Sequence, residues 1–173
     1  ALKASIASLP IQEQSVAIGS VPRVFGRLQD KNLAAKVVEQ ALSAAIKNPE
    51  TAATAWTTIG RMKRDAGEIQ PAAEAARAGH AANRKAPGPI MLAMSLLSVV
   101  PSEVQPMISQ YMAGDALPDV RLCYARTLID LDQMQPALAQ LNQLTQQHAT
   151  FAPGWLFLGL LQSDLSPVLL SEQ

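Results

Sequence analysis

The chain has 173 residues, of which 49% are apolar but only 4% are aromatic. Its 14 basic and 14 acidic residues leave no net charge, which argues against nucleic acid as the main partner, because phosphate binding usually needs a basic excess. The single cysteine, Cys123, excludes an intrachain disulfide and a cysteine-based zinc site. Good helix formers dominate and strand-favouring residues are scarce, so the composition predicts an all-α fold.

The first 48 residues predict a degenerate pair of helices. Lys31 to Lys47 has the pattern of one helix, and its partner is expected within Ile11 to Gln29. Pro22 falls inside that stretch, where it should break or kink the helix. No signal peptide is visible at Ala1 and no initiator Met is present, so we expect a processed protein or a piece of a longer one.

A motif with an even spacing follows residue 50. The pattern Trp-x-x-Ile/Leu-Gly begins at Trp56 and again at Trp155, and Pro89 and Arg121 occupy the same slot between them. The steps are 33, 32 and 34 residues, and a fixed period of this kind indicates stacked structural repeats. Four positions into each segment stands a small residue, expected to let paired helices approach closely: Gly60, Ala93, Ala125 and Gly159.

Prolines mark the expected helix starts. Pro71, Pro106 and Pro136 each follow a glutamine, and because proline fits the first turn of a helix, each predicts the start of one. The segment from Pro89 to Val100 is nearly all apolar and predicts a buried core helix, too short to span a bilayer. Three further prolines stand at the junctions between repeats: Pro87, Pro118 and Pro153.

These repeats resemble the tetratricopeptide repeat (TPR) family, whose 34-residue unit follows the scheme Trp-x2-Leu-Gly-x2-Tyr, Ala-x3-Phe, Pro. The resemblance covers residues 50–165, although Lys63 and Gln162 replace the tyrosine of the first helix. It implies an all-α, right-handed superhelix of helix-turn-helix units, about four to five in number, with degenerate ends. The second-helix part of the scheme is matched by Ala72-x3-Ala76, Met107-x3-Tyr111 and Ala137-x3-Leu141.

The resemblance implies one solenoid over residues 1–173. Within it, 1–48 is the degenerate unit, 50–165 holds the recognisable repeats, and 166–173 is a truncated tail. Bacterial proteins of similar appearance, rich in Ala and Gln, are often parts of longer adaptors or scaffolds linked to the envelope. We therefore expect either a cytoplasmic protein, or a periplasmic or envelope protein whose signal segment has been removed.

A search for chemistry gives little. His80 and His148 lie in different repeats without a metal-ligand spacing, and both are predicted to be ordinary surface residues. Cys123 has no base near it in sequence and is expected to be a packed or groove-edge thiol. No glycine-rich phosphate loop is present. The sequence predicts no enzyme, no cofactor and no metal.

In the family, the side chains that directly follow the small residue in the first helix of each repeat point into the concave groove. The implied groove would be basic and apolar, suited to an extended or helical segment of a partner protein whose carboxylates pair with arginines. A solvated helix face is the plainer alternative for the basic residues. Thr57 and Arg61 stand where carboxylate-clamp members need Lys and Asn, so that specialisation is not expected. The implied groove residues are Thr57, Arg61, Arg64, Ile90, Met94, Leu97, Leu122, Arg126 and Ile129.

The segment from Trp155 to Leu161 is apolar nearly all round, which predicts burial on more than one side. Too few residues follow to form a second helix of the repeat, so the face of Leu156 and Leu160 is expected to be covered by further repeats or by a second copy of the chain.

The sequence as a whole suggests two alternative functions: an interaction module that binds a partner polypeptide, or a structural and oligomerisation spacer within a longer protein. Neither requires direct membrane insertion.

Overall fold

The computed structural model describes residues 6, 8–25, 27 and 29–171, with the side chains of this part apart from those of residues 12, 24 and 164–171. Over these residues the chain forms nine α-helices, one short 3₁₀ helix and no strand, which confirms the all-α prediction. The helices are α1 (Ile11–Phe25), α2 (Lys31–Ala41), α3 (Ala52–Asp65), α4 (Ile69–Ala82), α5 (Pro87–Met94), α6 (Pro101–Met112), α7 (Pro118–Asp130), α8 (Met134–Gln147) and α9 (Ala152–Ser171).

The chain divides into two compact units, Ala1–Tyr111 and Met112–Gln173, here called unit 1 and unit 2. The tail predicted for 166–173 is helical as far as Ser171, because α9 continues to that residue, and residues 172 and 173 lie outside the described part. One continuous solenoid stays a prediction. Among the described residues, no helix combines the length and the apolar character needed to cross a membrane.

Helix α3 is the centre of unit 1, where it packs against α1, α2, α4 and α5. Gly60 shows why the small slot is needed. A Cβ atom there would lie 2.3 Å from Leu92 Cδ2 and 3.3 Å from the carbonyl oxygen of Ala72. The close approach predicted at Gly60 is thus confirmed. The core that α1 to α3 share is aliphatic, with its most deeply buried members being Ile18, Ala34, Val38, Leu42, Ala55 and Ile59.

The sequence predicted that Pro22 would break or kink the helix. The structure shows no break, since α1 continues to Phe25. Proline has no N–H, so it leaves the carbonyl oxygen of Ile18, four residues earlier, without its helical donor. The buried hydroxyl of Thr58 in α3 donates to that oxygen at 3.3 Å. A residue 40 positions away therefore supplies a hydrogen bond to the carbonyl that Pro22 leaves without a helical donor.

The N-terminal pair departs from prediction at a second place. The helix expected over Lys31 to Lys47 ends at Ala41, and a 3₁₀ turn over Ala45–Lys47 follows. Asp30 caps the start of α2, since its Oδ1 accepts the Leu33 N–H at 2.9 Å.

The proline rule for helix starts holds at two of three positions. Pro71 and Pro136 are the third residues of α4 and α8, as predicted. The prediction is wrong at Pro106, because α6 already begins at Pro101 and Pro106 lies inside it. The carbonyl that loses its donor there belongs to Ser102, an exposed residue of the first turn, so water can serve it instead.

The turns α3–α4 and α7–α8 are built alike. Gly67 and Asp132 adopt positive φ values of 82° and 58°, the left-handed conformation that ends many helices. After the first, the Glu68 N–H donates to the Lys63 carbonyl at 2.9 Å. After the second, the Gln133 N–H donates to the Leu128 carbonyl at 2.8 Å. The same hairpin therefore recurs in both units.

Lys63 stands where the family has a tyrosine, and the structure gives it another partner. Its Nζ lies 3.0 Å from Glu39 Oε2 in α2 and 3.9 Å from Glu68 Oε2 at the start of α4. The Lys63 side chain is largely buried, and its ammonium group lies between these two carboxylates. An ion pair thus joins α2 to α3 where the family uses an aromatic ring.

The nearly apolar segment that begins at Pro89 is not one helix. Helix α5 ends at Met94, after which the chain turns, and Val99 is exposed. Most of the segment is nevertheless buried in unit 1, as predicted.

In unit 2, α8 packs against α7 and α9, and α9 also contacts α7. The small-slot prediction is wrong for Gly159. That residue is exposed, and a Cβ atom on it would meet nothing within 4 Å. The described part of the chain has no helix after α9 to approach it. The unit's core consists of Val120, Tyr124, Ala125, Leu128, Ala137, Leu141, Leu144, Leu158 and Leu161.

Candidate functional site

In unit 1, the neutral members of the predicted groove are buried. Thr57, Ile90, Met94 and Leu97 are each at most 5% exposed. The Thr57 hydroxyl donates to the carbonyl of Ala53 at 2.7 Å within its own helix. These four side chains contribute to the packing of α3 with α5 and the following turn, so none offers accessible surface to a partner.

The two arginines of α3 remain accessible to different degrees. Arg61 is exposed, whereas Arg64 is half-buried. Arg64 donates from Nε and Nη2 to Oδ1 of Asp65 at 3.0 and 2.8 Å, and from Nη1 to Oγ of Ser95 at 3.0 Å. Its charge is therefore partly balanced, and its position is fixed, before any ligand arrives.

In unit 2, α7 carries the three remaining groove residues. Leu122 and Ile129 are half-buried and Arg126 is exposed. The guanidinium carbon of Arg126 lies 5.4 Å from the centroid of the Phe157 ring in α9, which is within the range of a cation–π contact. The sequence placed Arg126 on a binding face but gave no indication of this aromatic partner.

The predicted C-terminal interface is exposed. Leu156 and Leu160, one turn apart on α9, are 61% and 55% exposed. Trp155 beside them is 51% exposed, and its Nε1 donates to the carbonyl of Ala149 at 2.8 Å. Together with the open Cβ position of Gly159, these residues form an apolar helix face that the other described residues of unit 2 leave uncovered.

The most buried charge among the described residues was missed from the sequence. Arg121 occupies the tryptophan slot of its repeat and is 0% exposed. Its Nη1 donates to Oε1 of both Gln140 and Gln143 at 2.9 Å, and its Nη2 donates to the Met112 carbonyl at 2.9 Å. Burial lowers the pKa of Arg121. All three acceptors are uncharged, so this arginine joins helices of unit 2 rather than binding a carboxylate.

His80 is also not the surface residue that the sequence suggested. It is 6% exposed, with Nε2 3.1 Å from Oε1 of Gln110 in α6 and with Nδ1 buried without a partner. An ion pair between Arg77 and Glu103 joins the same two helices. These two contacts connect α4 to α6 beside the buried imidazole. Within the part of the chain that the structure describes, no three or more His, Cys, Asp or Glu side chains are grouped so as to hold a metal ion.

Comparison with known proteins supports the fold and leaves the function open. No protein-family model matches the chain, and no curated protein matches it significantly. A solved structure, that of a thermophilic TPR protein from Thermus thermophilus, is similar, with a TM-score of 0.54 over 85% of this chain and 80% of that one. The two sequences are 13% identical, so the likeness shows the fold alone. The chain has a TPR-like helical-repeat fold.

Proposed function

We propose that the chain is a protein-interaction module that binds a partner polypeptide on the exposed face of the first helix of a repeat, α3 in unit 1 and α7 in unit 2, each considered by itself. The observation that carries this proposal is the exposure of Arg61 in α3 and of Arg126 in α7, each directly after the buried small residue of its helix. Helices of this fold bury their other faces in packing, which leaves the first-helix face for recognition. The proposal includes no catalytic step.

Replacing Arg61, Arg64 and Arg126 together by Glu should weaken binding of the natural partner at least about tenfold while leaving the fold intact. Exposed charges usually change stability by less than about 0.5 kcal/mol. Reversing charges that face a complementary ligand instead changes both the electrostatic match and the encounter rate. Partners captured with crosslinking from the source cell would be compared between wild type and variant at low salt.

A matched control reverses three basic residues outside the proposed faces, Arg23, Arg84 and Lys85, all of which are exposed. This control has the same net charge as the test variant. Loss of the partner from the test variant but not from the control supports the proposal. Equal capture by the two variants would show that recognition takes place on another surface.

The uncovered apolar face of α9 favours a second function, that of an oligomerisation or spacer element. Large exposed apolar patches usually mark interaction sites. If a second copy covers Leu156 and Leu160, sedimentation over a wide concentration range should show self-association, which the double replacement of both residues by Gln should abolish. A wild-type chain that stays monomeric at every concentration would contradict the oligomerisation role.

A further inference from the structure

Arg126 is held in place by an aromatic ring rather than by an anion. Its guanidinium group lies over the Phe157 ring, 5.4 Å from the centroid, while the residue as a whole is exposed. A cation–π contact engages the charge of the guanidinium without using its N–H groups as donors to an anion. The ring contact also favours one placement of the side chain before binding, which lowers the entropy lost when a ligand is bound.

The charge of Arg126 is not balanced within the described residues, where no carboxylate oxygen lies within 4.0 Å of it. Asp130 is one turn further along α7, at a spacing that often gives an ion pair, yet the two do not form one. Arg64, by contrast, already uses Asp65 and Ser95. Arg126 is therefore an exposed cation that contacts a ring and has no ion-pair partner among the described residues.

An apolar surface begins beside this cation. Leu160 follows Phe157 by three residues, and Leu156 precedes Leu160 by four, so the three side chains share one side of α9. Both leucines are more than half exposed. A ligand that places an anion on Arg126 can therefore also bury an aliphatic group against Leu160 without leaving unit 2.

Resting on the proposed function, we infer that Arg126, in cation–π contact with Phe157, binds a side-chain carboxylate, from Glu or Asp, within a partner polypeptide that lays a neighbouring apolar side chain on Leu160. One guanidinium fork matches one carboxylate, whereas a polyphosphate would call for several cations. The exposed strip continues past Leu160 to Leu156, so the bound segment has room to extend beyond the carboxylate. This continuity favours an internal acidic residue over a chain terminus.

The test uses the full chain labelled with nitrogen-15 and two capped dipeptides, N-acetyl-Leu-Glu-amide and the neutral N-acetyl-Leu-Gln-amide. Titration at low salt is followed through the Arg126 Nε–H signal and the backbone amides of α9. We expect the glutamate peptide to bind about tenfold more tightly than the glutamine peptide, since charge-assisted hydrogen bonds are roughly twice as strong as neutral ones. Arg126→Gln should abolish this preference.

Three further variants and one further peptide test the assignment. Arg84→Gln, which removes another exposed arginine, should keep the preference. Phe157→Leu should reduce it several-fold, and Phe157→Tyr, which keeps a ring and guards against misfolding, should retain it. N-acetyl-Leu-Gln with a free terminal carboxylate should bind more weakly than the glutamate peptide.

Equal affinity for the two capped peptides, or a preference that survives Arg126→Gln, would overturn the inference. Stronger binding of the peptide with a free terminal carboxylate would mean that Arg126 binds a chain end rather than an internal acidic residue, which would also overturn the inference. Neither result would affect the broader proposal, which is tested by partner capture with the charge-reversal variants. Conversely, a glutamate preference without any captured partner would count against the broader proposal alone.

Discussion

Replacing Gln140 and Gln143 together by Leu is expected to lower the free energy of unfolding of unit 2 by about 3 kcal/mol. The two amides supply two of the three hydrogen-bond acceptors of the fully buried Arg121. Without them the guanidinium keeps only the Met112 carbonyl, and its Nε already lacks a partner. A buried cation that loses its acceptors retains the full penalty of leaving water.

Adding Arg121→Met to the double variant provides the control. Methionine fills a similar volume without a charge, so the triple variant should recover stability to within about 1 kcal/mol of wild type. Urea denaturation followed by far-UV circular dichroism measures all three proteins. A double variant as stable as wild type, or a triple variant no better than the double, would mean that the amides do not sustain the charge.

Gly60→Leu is expected to destabilise unit 1 by about 3 kcal/mol. Even a Cβ atom there lies 3.1 Å from the Ala75 Cβ and within 2.3 Å of Leu92, so a whole leucine must push α4 and α5 away from α3. The gain from removing a glycine inside a helix, about 1 kcal/mol, offsets only part of this loss. Thermal and urea unfolding of the variant give the magnitude.

The matched control is the same change at the same repeat slot, Gly159→Leu. No atom lies within 4 Å of a Cβ there, so the helix-propensity gain should appear without the clash and stabilise unit 2 by up to about 1 kcal/mol. Destabilisation by similar amounts at both sites would contradict the packing difference. If Gly159→Leu also reduces self-association, the face of α9 is covered closely by a second copy.

The sequence predicted the all-α fold, because helix formation follows from local propensity and periodicity. It was wrong about a break at Pro22 and about a helix start at Pro106, because the effect of proline depends on whether another donor can bond to the carbonyl it leaves without one. Thr58 serves the one that Pro22 leaves, from a different helix, and the early start at Pro101 brings the other near the helix terminus. Neither circumstance is visible in the local sequence.

The candidate site was less predictable, since it depends on which helices cover one another. Position in the repeat placed Ile90 and Arg126 on one predicted surface, yet Ile90 is fully buried in unit 1 while Arg126 is exposed in unit 2. Arg121 in a tryptophan slot was a usable signal, because a charged residue at a buried position needs acceptors nearby. The stack on Phe157 and the burial of His80 had no counterpart in motif or spacing.

The division of the chain into two units has a spectroscopic consequence. Each unit contains one of the two tryptophans, Trp56 in unit 1 and Trp155 in unit 2. Trp56 packs against a buried core, whereas Trp155 is 51% exposed, so the two indole rings should emit at different wavelengths. With Trp155→Phe or Trp56→Phe as background, fluorescence reports the unfolding of one unit alone. If the unfolding curves of the two single-tryptophan variants coincide, one two-state free energy of unfolding describes the whole chain; if they differ, the two units unfold separately.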